Sequence, residues 1–90
     1  MNISNEFVNF CKNHPKKFSL NRDEYRKLKK NMIYIMSCKI TYDLINKSKI
    51  GQAVNLLQEK FKWVKQDKSS DDLINRISDA KNKIEAFIRN

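Results

Sequence analysis

One glycine and one proline, Gly51 and Pro15, stand in a chain of ninety residues. Tight hairpins and phosphate-cradling loops lean on glycine for positive φ and close backbone approach. Helices need neither residue, so the chain is predicted to be all-α. The expected architecture is a small antiparallel helical bundle of three long helices plus a short N-terminal helix. Its length suits one domain over 1–90, near the lower end of sizes that fold without staples.

Apolar spacing places these helices. A first helix is expected over 5–13, with Ser4 able to cap it, Ile3, Phe7 and Phe10 on one side, and Pro15 ending it. Residues 16–20 form a connector with Phe18 and Leu20 as apolar anchors. Asn21 and Glu24 have the form of a capping box, and the helix they open is expected to run to residue 45. Tyr25, Leu28, Met32, Ile35, Met36 and Ile40 make its apolar face. From Met32 onward apolar residues surround most of the cylinder, which predicts the central helix of the bundle. Residues 46–49 read as a polar connector. A third helix over 50–64 has Ala53, Val54, Leu57, Phe61 and Val64 as its core face. Ser69 or Ser70 is expected to cap the last helix, whose stripe of Leu73, Ile77, Ala80, Ile84 and Phe87 is the cleanest in the chain. Its opposite face sets Asp72/Arg76, Asp79/Lys83 and Glu85/Arg89 as acid-before-base pairs four apart, the favourable order. The stripe is too short for a coiled coil alone, although it could serve a homodimer.

The residue inventory offers little for catalysis. The one histidine, His14, has no identifiable partner, and Cys11 and Cys38 match no metal or redox spacing. No catalytic, metal or cofactor site is therefore expected, and the two thiols read as small hydrophobes. The acid pairs Asp23/Glu24 and Asp71/Asp72 stand at helix starts, where capping and the helix dipole account for them. No charged start followed by an apolar run suggests a signal peptide. The longest apolar stretch, 32–36, falls far short of the roughly 20 residues of a membrane span. A cytosolic protein with reduced thiols is expected.

The formal charge is +9, but fifteen of the nineteen basic residues are lysine, a bias an AT-rich gene produces without selection for binding. Arginine, which grips phosphate and guanine bidentately, occurs four times. Position is more telling. Residues 1–50 carry eleven basic and four acidic side chains, against eight and six in 51–90. Lys12, Lys16, Lys17, Arg22, Arg26, Lys27, Lys29 and Lys30 form a candidate surface for nucleic-acid phosphates, an anionic membrane or an acidic protein. Helix-turn-helix reading of a DNA sequence has no support, since no helix pair combines a short glycine-containing turn with an exposed recognition face.

A second constellation is Trp63 with Leu56, seven apart and offset from the core face, and Tyr34 as an aromatic companion. These are candidate protein-binding anchors, against the alternative that they fill a second packing contact. Residues 44–57 resemble the helical-hairpin turn of a tetratricopeptide repeat, with Ile50 and Ala53 in its apolar and small positions. They cover too little of the chain for a solenoid. In size, charge and helicity the chain is also similar to bacteriocin immunity proteins. The leading expectation is a non-enzymatic protein that binds another, acidic protein in an immunity, inhibitor or adaptor role of the kind phages and mobile elements encode. The alternative is phosphate-directed nucleic-acid binding through the basic residues between 12 and 30.

Overall fold

The computed structural model describes residues 3–14 and 16–89. Among these the chain forms five α-helices: α1 (Ile3–Asn13), α2 (Arg22–Ser37), α3 (Tyr42–Ser48), α4 (Ile50–Lys60) and α5 (Lys68–Arg89). A 3-10 turn, Phe61–Trp63, extends α4. The result is a small all-α bundle. The four longer helices alternate in direction along the chain. His14 meets Glu24 where α1 gives way to α2, and Glu6 meets Asn31 further back. Gly51 lies against Ile84, whereas Phe61 borders the same hollow as Ile74 and Ile77, so α4 and α5 run oppositely.

α5 carries the bundle. Its 22 residues, at about 1.5 Å each, measure about 33 Å, close to the 35 Å long axis of the molecule. Leu73, Ile77, Ala80 and Ile84 of the expected stripe are all buried. Each fully buried leucine or isoleucine contributes roughly 1.5–3 kcal/mol relative to exposure. Phe87 is only half-buried and meets Tyr42 with ring centroids 4.9 Å apart. The stripe is used within the chain, with α4 and α2 packed on α5 and α1 packed on α4.

Several boundaries differ from expectation. α1 begins at Ile3, which is drawn into the core, so Ser4 lies inside the first turn and its buried hydroxyl has no hydrogen-bond partner among the described residues. Pro15 lies outside the described residues, and α1 ends at Asn13. The capping box at the start of α2 is present in both directions: Glu24 N–H donates to Asn21 at 2.8 Å, and Asn21 N–H to Glu24 at 3.1 Å.

The helix expected over 21–45 is two helices. α2 stops at Ser37, Cys38 turns extended, and Thr41 caps α3 by accepting from Leu44 N–H. A side chain far along the chain closes this end. Lys83 Nζ, on α5, donates to the carbonyls of Ile35, Met36 and Cys38 at 2.7–2.9 Å. An ammonium at a helix C-terminus satisfies the orphan carbonyls and complements the dipole. Lys83 is therefore withdrawn from its expected pairing with Asp79, and Glu85 lies 3.9 Å from Lys81. Asp72–Arg76 forms as expected at 2.9 Å. α2 is also an outer helix, not the central one: Ile33, Tyr34 and Met36 are 45–49% exposed.

The expected polar connector over 46–49 is mostly helix. α3 runs to Ser48, and Lys49 alone turns the corner, at φ 55° and ψ 37°. The one glycine stands two residues later, in ordinary helix, where an added Cβ would meet Ile84 at a comfortable 3.6 Å. At the start of α5, Asp67 takes the capping role expected of Ser69 or Ser70. Ser70 N–H donates to Asp67, and Asp67 N–H to the buried Ser70 hydroxyl, both at 2.8 Å.

Candidate binding surface

Between α1 and α2 the connector is pinned to the far end of α4. Phe18 N–H donates to Trp63 carbonyl at 3.2 Å and Lys65 N–H to Phe18 carbonyl at 2.7 Å, forming a single parallel bridge between Phe18 and Val64. The pin holds because Phe18 is buried in an aromatic cluster with Phe10 and Phe61, ring centroids 5.5–5.8 Å apart. Lys60 Nζ adds a bond to His14 carbonyl at 2.8 Å.

This pin brings together residues from the two separate sequence readings. His14, Lys17, Phe18, Ser19, Lys62, Trp63, Val64 and Lys65 line one open groove of about 720 Å³. Lys16 lies across its aromatic wall, Nζ 4.8 Å from the Trp63 ring centroid. Trp63 is 44% exposed although Phe61 and Val64 beside it are buried. Among the described lining residues there is no carboxylate. Four lysines thus stand around one half-exposed indole: Lys16 and Lys17 from the connector, Lys62 within the 3-10 turn and Lys65 just after it. Lys62 and Lys65 were outside the candidate set, since in sequence they belong to the half with balanced charge.

The other candidates fall elsewhere. Arg22, Arg26, Lys27 and Lys30 are exposed on α2, and Lys29 lies over the Tyr25 ring at 5.6 Å. Arg22, Arg26 and Lys30 share a helix face by their four-residue spacing, and Arg22 and Arg26 border a hollow with Leu20 and Ser69. Lys12 is exposed in the last turn of α1. Leu56, 51% exposed, is on α4 two turns before Trp63. Tyr34, 46% exposed, is on α2 with Ile33 and Met36. Tyr34 stands on α2, and Leu56 and Trp63 stand on α4 and its 3-10 extension, so the three candidate anchors are divided between two helices that both pack on α5.

His14 does have a partner. Its Nδ1 is 2.7 Å from Phe10 carbonyl and its Nε2 faces Glu24 carboxylate at 2.5 Å. Both ring nitrogens thus have partners within the chain. The ring is also packed between Phe10 and Phe18, at 4.0 and 5.0 Å. His14 acts as a latch between the connector and the start of α2. Burial pushes the Cys11 thiol upward, opposed by the nearby charge of Lys60, so it stays away from the reactive thiolate form. Both cysteines are free and only partly buried.

Among the described residues no cluster of three histidine, cysteine or acidic side chains could hold a metal ion, and no helix is long and apolar enough to cross a membrane. Comparison with protein-family models, with curated proteins and with solved structures returned no match.

Proposed function

We propose that this is a non-enzymatic protein that binds nucleic acid, chiefly through phosphate contacts, at the surface formed by the connector, the 3-10 turn and the first turns of α2. The observation that carries this reading is the juxtaposition of Lys16, Lys17, Lys62 and Lys65 around the groove with no acid in its described lining. Clustered lysines release counterions from a polyanion, and the resulting affinity falls steeply with salt. A cytosolic location belongs to the same proposal.

The test is fluorescence anisotropy of labelled oligonucleotides of unrelated sequence over a salt series. Binding is expected to persist at about 150 mM salt with similar affinity for each sequence. Replacing Lys16, Lys17, Lys62 or Lys65 by alanine is expected to weaken binding for all sequences and to lower the log–log salt slope by about one each. Binding that vanishes at modest salt would remove the proposal.

A second reading is a protein partner, in an immunity, inhibitor or adaptor role. It draws on a different observation: Ile33, Tyr34 and Met36 are half-exposed on the outer helix beside Arg26 and Lys30, and Leu56 is exposed on α4. Charged residues there would steer an acidic partner and apolar ones would anchor it. This reading expects no oligonucleotide binding at about 150 mM salt.

A further inference from the structure

We infer that the groove is a single-strand site in which Trp63 stacks on an unpaired base while Lys17, Lys62 and Lys65 hold the flanking phosphates. The inference rests on the nucleic-acid reading above and adds to it a base-contacting residue and a strand preference.

The indole has the properties of a platform. It is half-exposed at the rim, yet its backbone is fixed on both sides: Trp63 carbonyl accepts from Phe18, and Val64 N–H donates back to Phe61. A ring held this way loses little freedom when a base lands on it. Lys16 occupies the ring face at 4.8 Å, held there among the described residues by a cation–π contact on a flexible stem. A base arriving on that face displaces the ammonium toward its own phosphate, so the charge is reused.

The surrounding charge fits a backbone on either side of the stacked base. Lys17 lies on the connector side of the groove, Lys62 and Lys65 on the other. Lys62 pairs with Glu59 at 3.1 Å, but both side chains are about two-thirds exposed. Such a pair is weak and readily exchanged for a phosphate. Duplex bases are already stacked on each other and present no face to the indole, so a single strand fits this site better than a duplex.

Trp63 is the one tryptophan of the chain, so its emission reports on the site directly. The full-length chain would be titrated with oligothymidylate, with an abasic deoxyribose-phosphate oligomer of equal length, with a duplex and with oligoglutamate. Oligothymidylate is expected to quench Trp63 emission and to bind on the order of tenfold tighter than the abasic oligomer. Trp63→Ala is expected to erase that advantage, bringing oligothymidylate to the affinity of the abasic oligomer, and Trp63→Phe to keep most of it. The comparison of the two oligomers on the unaltered protein stands even if Trp63→Ala perturbs the fold. Equal affinities without quenching would overturn stacking and leave the phosphate reading in place. Failure of both oligomers to bind at about 150 mM salt would overturn both. Tighter binding of the duplex or of oligoglutamate would overturn the single-strand assignment.

Discussion

The two ends of α2 are closed in different ways. At the start, Asn21 and Glu24 cap each other across three residues, and Glu24 uses its second oxygen to hold His14. At the end, the carbonyls of Ile35, Met36 and Cys38 are closed by Lys83, which is 45–48 residues away. The first closure is written in adjacent residues and forms wherever the chain turns helical. The second exists only once α5 has packed alongside α2. One helix thus has a locally encoded end and a tertiary one, and substitutions at the two ends separate these contributions.

The largest effect is expected at the tertiary end. Lys83→Met keeps most of the stem but removes three charge-assisted bonds, two of them partly buried and the one to Met36 exposed. A hydrogen bond to a charged group is worth roughly 1.5–3 kcal/mol, and shared donation from one ammonium does not add bond by bond. A loss of about 2 kcal/mol in urea unfolding is expected, with faster amide exchange confined to the last turn of α2. A loss under about 0.5 kcal/mol would show that solvent caps those carbonyls as well as Lys83 does.

A smaller effect is expected at the local end. Asn21→Ala removes the acceptor for Glu24 N–H and should cost about 1 kcal/mol. Exchange should rise in the first turn of α2 and leave its last turn unchanged. If both substitutions loosened the whole helix equally, the two ends would be one cooperative unit and the contrast would fail.

The same contrast explains how much was legible beforehand. The stripe of α5 and the Asn21/Glu24 box were readable because their signals repeat within a turn or two. The break after Ser37 was not, because its local marks are weak: Ser37 Oγ donates back to the carbonyls of Ile33 and Tyr34, and the β-branched pair Ile40 and Thr41 follows. Lys83 looked like half of a surface ion pair with Asp79. Likewise the one positive φ among the described residues falls at Lys49 and not at the available glycine. On the surface, Lys16 and Lys17 were visible as a basic run and Trp63 as an anchor. Their union depends on the Phe18–Val64 bridge, whose residues stand too far apart for any spacing rule to relate them.

The smallest effect concerns a contact that joins the start of α2 to the start of α5, and it is readable through pH. Tyr25 hydroxyl donates to Asp72 at 2.9 Å, and Arg76 Nε donates to the same oxygen at 2.9 Å. Arg76's hydrogen bond holds the Asp72 carboxyl below its ordinary value of 3.8, with help from Tyr25 and from the charges of Arg76 and Lys29, against an opposing contribution from desolvation. A carboxylate with a depressed folded pKa binds fewer protons than in the unfolded chain, so its contribution is complete above 3.8 and is lost as pH falls through the lowered value. Asp72 is more than a third exposed, so the effect should be less than at either end of α2. Asp72→Asn should therefore lower the urea midpoint slightly at neutral pH. That difference should shrink as the solution is acidified toward the lowest pH at which the fold persists. A difference that stays constant with pH would mean that the amide disturbs packing at this corner. It would also mean that α2 is fastened to α5 at Lys83 and by the core, with no charge contribution from its first turn.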